Sequence, residues 1–212
     1  QLGFDVPAYV DAALGDTVMA PEGVIPSGVL GRAWRCDMPL PDIEAARAEL
    51  ARSRYGDAAS VPPIRIHAAD VGPVEAVREV LGRDLGLRIE AVQVNWGDFL
   101  SGLSERRWDA YSVFWGMDYP DPEAILRMLW ASSSADNYTG YHNEAFDALL
   151  DASRAEADDI RRHDLYMEAQ QMLIDDVAVI PLYVPRRFTL ARPGFEHVPV
   201  TPLGLLGLER IR

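Results

Sequence analysis

Apolar positions recur at two different periods along this chain, and the alternation of those periods lays out its elements. Over 74–85, Val74, Val77, Leu81 and Leu85 form one helical stripe; over 42–54, Ile43, Ala46 and Leu50 do the same. Asp42 is placed as the N-cap of the latter after Pro41, and Gly56 lies past its end. Strands are predicted over 63–67, 88–95 and 109–115; in the second, Ile89 and Ala91 alternate and Val92 and Val94 extend an apolar run. A helix over 96–105 separates the last two. Strand and helix at such short spacing imply right-handed crossovers and an α/β fold, a central mixed sheet flanked by helices.

The second half changes period. Helices are predicted over 122–131, 143–155 and 159–176, the last carrying Leu165, Ala169, Met172, Leu173 and Val177 along one stripe. Residues 177–183 then read as a buried strand. Before all of these, residues 5–14 predict a short helix stopped by Gly15, and the Pro- and Gly-rich stretch 21–28 predicts a loop. Residues 185–212 contain Pro185, Pro193, Pro199 and Pro202 and an apolar run over 203–208. They are expected to pack against something other than the main core.

Composition narrows the classes. The 212 residues are 49% hydrophobic and 25% charged, a soluble globular profile, and no run of about 18 apolar residues is present to span a bilayer. Acidic residues number 33 against 20 basic ones, for a net charge of −13. Every basic residue is Arg, so Schiff-base and phosphate-loop lysine chemistry is excluded. A pI near 4.6 opposes polyanion binding, so nucleic acid is not an expected partner. Cationic or zwitterionic ligands suit this field better. The single cysteine, Cys36, allows no internal disulfide. A chain opening at Gln1 without Met or a signal segment is expected to be a mature product or a piece of something longer.

Catalytic patterns are sparse. His67, His142, His163 and His197 lie far apart, outside any metal-ligand spacing, and are expected to be structural or solvated. No nucleophile elbow or phosphate-binding loop occurs. Cys36, after Arg35 in a Pro-rich loop, reads as an inert thiol. No catalytic residue, metal or cofactor is expected. One stretch stands out: Phe114-Trp115-Gly116-Met117-Asp118-Tyr119-Pro120-Asp121-Pro122-Glu123. A predicted strand ends there in an aromatic pair, a glycine and an acid, and ligands of open α/β sheets bind at the carboxyl ends of strands. Asp118 is placed to meet a ligand, with Phe114 and Trp115 as apolar walls. Asp121 reads instead as the N-cap of a helix beginning at Pro122. A hydrolase using Asp118 and Asp121 together is the distant alternative, since paired catalytic acids usually come from different elements.

The ordered motifs of the chain resemble a known family, the family 5 extracellular solute-binding proteins of bacterial ABC importers, which includes oligopeptide- and dipeptide-binding proteins. The residues that carry this are Ala20-Pro21-Glu22-Gly23-Val24-Ile25-Pro26, the helix 41–55, Trp96 with Phe99-Leu100, and Asp118-Tyr119-Pro120-Asp121-Pro122. They continue with Asn137-Tyr138-Thr139-Gly140-Tyr141, Phe146-Asp147-Ala148-Leu149-Leu150, Arg161 with Leu165-Tyr166-Met167-Glu168-Ala169-Gln170, and Ile180-Pro181-Leu182-Tyr183.

The resemblance covers about 14–211 and implies the C-terminal portion of a longer, two-lobe protein of periplasmic-binding-protein-like fold. Residues 1–184 would form the ligand-binding lobe, and 185–212 would return to a missing N-terminal lobe. It implies a non-enzymatic protein, exported to the periplasm or anchored by lipid to the outer face of the cell membrane. Its partners would be a peptide or other small solute and the importer's membrane subunits; relatives with the same motif accept sugars, opines or metal chelates. By the resemblance Asp118 holds the ligand's α-amino group, Phe114, Trp115 and Gly116 lie along its backbone, and Trp96 lines the cleft. Met117 stands where a small residue is common; Asn137 and Tyr138 complete the candidate set.

Overall fold

A computed structural model describes residues 1–188, 190 and 192 of the chain. Its elements run α1 (Val6–Tyr9), β1 (Val18–Met19), α2 (Ile43–Arg52), β2 (Ile64–Ala68), α3 (Gly72–Leu85), β3 (Ile89–Gln93), α4 (Trp96–Ser104) and β4 (Ala110–Ser112). They continue with α5 (Glu123–Trp130), α6 (Glu144–Ala155), α7 (Asp159–Asp175) and β5 (Val184–Pro185). Two compact units emerge: residues 1–9 with 38–115, and residues 10–37 with 116 onward. Most of the expected return segment, and its apolar run 203–208, lies outside the described residues.

The first unit is built on a three-stranded sheet of order β3-β2-β4. Both pairings are parallel, with Ile64 opposite Ile89 and Ile66 opposite Ala110. Parallel pairing follows from the connections, because α3 and α4 each return the chain to the same end of the sheet. The central sheet, read from sequence as mixed, is parallel, and among the described residues antiparallel pairing is confined to the separate β1–β5 ribbon. Val74, Ile89, Phe99 and Leu103 are buried, as the apolar stripes require. Asp42 caps α2, its carboxylate accepting the Ala45 N–H at 2.9 Å. The strand expected over 109–115 shrinks to three residues, because β2 ends at Ala68 opposite Ser112 and offers no partner beyond.

The second unit is helical. α6 and α7 pack together over Phe146, Leu150, Tyr166, Ala169 and Leu173, all buried, and α5 adds Ala124, Ile125 and Leu126. The loop 21–28 docks on α7 through one side chain: the Gln170 carboxamide oxygen accepts N–H bonds from Val24 (3.2 Å) and Ile25 (3.1 Å). Gly23 is required there, since a Cβ would lie 2.7 Å from both the Gln170 oxygen and the Trp34 carbonyl. Cys36 is half-buried nearby, and burial pushes its thiol up to about 11. Two boundaries differ from the sequence reading. Residues 5–14 form only one α-turn followed by a wider π-type turn. Residues 177–183 are not a strand: Val177 takes the left-handed conformation (φ 52), and the N–H of Ala178 bonds back to the Leu173 carbonyl, closing α7.

Candidate functional site

The carboxyl end of the parallel sheet gathers the aromatic candidates of the first unit. β2 lies between β3 and β4, so the chain reverses its direction of sheet growth beside β2, the kind of switch point where α/β sheets bind ligands. Trp96 opens α4 directly after β3; it is 54% exposed and stacks on Phe99 at 5.7 Å. Asn95 holds that helix start, its side-chain oxygen accepting the Asp98 N–H at 3.0 Å. Phe114 and Trp115 follow β4 in extended chain, Phe114 63% exposed and Trp115 half-buried with its indole N–H buried and unpartnered among the described residues. Trp96 and Phe114 thus expose apolar ring surface beyond the carboxyl ends of their strands.

Near the end of β2 sits His67, one of the four histidines expected from sequence to be structural or solvated. His67 is buried, stacked on Trp108 with ring centroids 3.9 Å apart, and its Nδ1 has no partner among the described residues. Sequence offered no signal for it, because an isolated histidine in a strand looks alike whether its nitrogens are satisfied or not.

Gly116, Met117, Asp118, Asn137 and Tyr138 belong to the second unit. Gly116 is exposed, its φ is not left-handed, and a Cβ there would meet nothing within 4 Å. Among the described residues nothing demands a glycine at that point. Met117 is half-buried. The Asp118 carboxylate is exposed and makes no hydrogen bond or ion pair among the described residues.

Asp121, three residues on, is its opposite. Its carboxylate accepts the Glu123 N–H at 3.0 Å and pairs with the Arg162 guanidinium of α7 at 2.9 Å. Arg162 in turn donates to the Ser153 carbonyl of α6 and the Tyr166 hydroxyl. Helix α5 begins at Glu123 rather than Pro122, and Asp121 still satisfies one of its free N–H groups. A carboxylate so occupied is not available as the second acid of a hydrolytic pair. The Asp121–Arg162 pair was missed from sequence because 41 residues separate its members.

Asn137 and Tyr138 are also committed to their own loop. The Asn137 carboxamide is buried and donates to the carbonyls of Trp130, Ala131 and Tyr141, and its oxygen accepts the Thr139 hydroxyl. The Tyr138 hydroxyl donates to Asp136 at 2.7 Å. That bond, with partial burial and the carboxylate's charge, raises the Tyr138 phenol above its ordinary value. Among the described residues no three His, Cys, Asp or Glu side chains are grouped to hold a metal ion, and no helix is long and apolar enough to cross a membrane.

Proteins similar to this chain include peptide-binding proteins. The periplasmic oligopeptide-binding protein OppA of Salmonella typhimurium is 30% identical over 118 residues, 56% of this chain and 22% of that protein. Di/tripeptide-binding protein 2 of Pseudomonas aeruginosa is 25% identical over 225 residues, 100% of this chain and 41% of that protein. The crystal structure of the dipeptide binding protein from Pseudoalteromonas sp. SM9913 in complex with Met-Leu superposes with a TM-score of 0.79 at 22% identity, covering 96% of this chain and 42% of that one. No family model matches. The resemblance to extracellular solute-binding proteins is borne out, and so is an α/β fold matching one lobe of a periplasmic-binding-protein-like architecture. The chain spans roughly a fifth to two fifths of the length of these curated relatives, 22% and 41% for the two above.

Proposed function

We propose that this chain is the C-terminal portion of an exported solute-binding protein of an ABC importer, and that it captures di- or oligopeptides without chemical change. Residues 1–184 form the ligand-binding lobe, 185–212 return to an N-terminal lobe, and closure of the two lobes encloses the ligand. The observation that carries this reading is Asp118: a carboxylate with no partner among the described residues, three residues from one that is engaged. In water an unpaired surface acid is unremarkable. Here it follows the exposed Phe114, the half-buried Trp115 and a glycine that no described residue crowds, beyond a strand's carboxyl end. The chain itself keeps Trp115 within about 11 Å of Asp118.

In this reading Asp118 holds the ligand's α-ammonium group, Trp96, Phe114 and Trp115 wall the ligand, and the open backbone at Gly116 lets its main chain approach. Met117 lines the same strand end, while Asn137 and Tyr138 act by fixing the loop after α5. Peptides suit such a site because a charged terminus and main-chain hydrogen bonds hold them whatever their side chains. Removing Asp118 by Asp118→Ala in the intact protein should cost about 2–5 kcal/mol, the range for unpairing a buried charge pair, or roughly thirtyfold to several thousandfold in affinity. Calorimetry with a dipeptide and a tetrapeptide measures this; unchanged affinity refutes the assignment. Mass spectrometry of the ligand that copurifies separates peptides from sugars, opines and metal chelates.

A further inference from the structure

A cavity of about 240 Å³ lies wholly within the second unit, lined by Leu30, Arg32, Trp34, Asp159, Arg162, His163 and Tyr166. It is smaller than the roughly 300–1,000 Å³ of pockets for drug-sized ligands, and so is scaled for a compact molecule. Its lip is unusual. Leu30 sits in the left-handed region (φ 54) between two left-handed glycines, Gly28 (φ 96) and Gly31 (φ 68), and is half-exposed. A leucine held in that conformation is an outlier that the surrounding structure must enforce. Enforcement is visible: the Gly28 N–H donates to the Arg32 carbonyl, the Trp34 indole to the Val29 carbonyl, and His163 Nε2 lies 3.1 Å from the Ala33 carbonyl. Trp34 and His163 rings pack 4.6 Å apart.

The polar groups around this cavity divide into spent and unspent. Arg162 is spent on Asp121, Ser153 and Tyr166. The N–H groups of Ile160 and Arg161, at the start of α7, are taken by Asp158. His163 is engaged by Ala33 on one side, and its Nδ1 faces Asp164 at 3.5 Å on the other. Among the described residues that line the cavity, one cation and one anion are left. The half-buried Arg32 guanidinium and the Asp159 carboxylate have no side-chain partner among the described residues and no ion pair with each other. Opposite charges that line one cavity without meeting are complementary to a molecule carrying both.

We infer that this cavity binds a small zwitterion, a free amino acid with an apolar side chain. Its carboxylate pairs with Arg32, its ammonium with Asp159, and its side chain lies against Leu30 and the aromatic floor of Trp34 and Tyr166. The site uses no residue of the peptide-binding proposal and stands independently of it. L-leucine titrated into the intact protein, followed by ligand-observed NMR, tests it. Saturable binding is expected, weakened at least tenfold by Arg32→Gln and by Asp159→Asn and unaffected by Asp118→Ala. Isovalerate and isopentylamine, each with one of the two charges, should bind at least tenfold more weakly than leucine. Both substitutions alter side chains without side-chain partners among the described residues, so the far-UV circular dichroism should be unchanged. No saturation at millimolar leucine, insensitivity to both cavity variants, isovalerate binding equal to leucine, or loss of binding in Asp118→Ala would each overturn the assignment.

Discussion

Two halves of one ten-residue stretch obey different rules. From Phe114 to Asp118 the side chains are exposed or half-buried, the Asp118 carboxylate is unpaired, and the glycine has open space above it. From Tyr119 to Glu123 both acids are tied down, although Tyr119 and Pro120 stay exposed. Asp121 is held by Arg162 and the Glu123 N–H, and Glu123 is bridged to Arg127 at 3.0 Å and Arg154 at 2.8 Å. Composition does not separate the halves, since each has an acid and an aromatic ring. What separates them is whether the residue's interaction capacity is consumed within the fold. Groups left unconsumed beside a rigidly held neighbour are where binding function is affordable, because altering them costs little stability.

Substitutions along and around the stretch can break that contrast. The largest stability loss is expected at Asn137, since Asn137→Ala strands the carbonyls of Trp130, Ala131 and Tyr141 and should cost about 3 kcal/mol in urea unfolding. Arg162→Met should cost about 2 kcal/mol; Arg162 and Asp121 are only 24% and 21% exposed, so the pair is partly but not fully screened. Asp42→Ala, in the first unit, removes an ordinary N-cap and should cost about 1 kcal/mol. Asp118→Ala should move stability by no more than about 0.5 kcal/mol while abolishing most affinity. A stability loss at Asp118 as large as that at Arg162 would erase the distinction.

Cys36 offers a smaller, pH-based check on the interior of the second unit. Burial raises its thiol to about 11 from 9.0, so the folded protein holds this proton more tightly than the unfolded chain. The resulting stability is fully present below the unfolded value and is lost as pH rises through the folded one. Alkylation of the native protein should accelerate between about pH 9 and 11, later than an exposed thiol would. A native-state inflection near 8.5–9, about where free cysteine titrates, would contradict the burial.

Much of the fold was legible because periodicity and caps act locally. Helices α2, α3, α6 and α7 fall within a residue or two of the predicted spans, with Asp42 and Asn143 as caps. The failures lie where distant partners or backbone strain decide. Residues 177–183 have a strand's composition, yet a left-handed valine closes α7 ahead of them. β4 is short because β2 ends, a fact invisible within 109–115 itself. For the candidate site, Phe114, Trp115 and Asp118 were readable from a strand end and its aromatic content, whereas Trp96 came only from the family resemblance. The engagement of Asp121 by Arg162, the burial of Asn137 and the unpaired charges of Arg32 and Asp159 were not, because each depends on which long-range contact does or does not form.

Peptide capture as proposed requires Asp118 to meet a ligand ammonium, and a double-mutant cycle measures that contact directly. A dipeptide and its N-acetyl derivative are titrated calorimetrically into the intact protein and its Asp118→Ala variant. The prediction is that acetylation weakens binding to the parent by about 2–5 kcal/mol and has almost no further effect in the variant, a coupling typical of a close charge pair. Equal loss on acetylation in both proteins, or none in either, would contradict it.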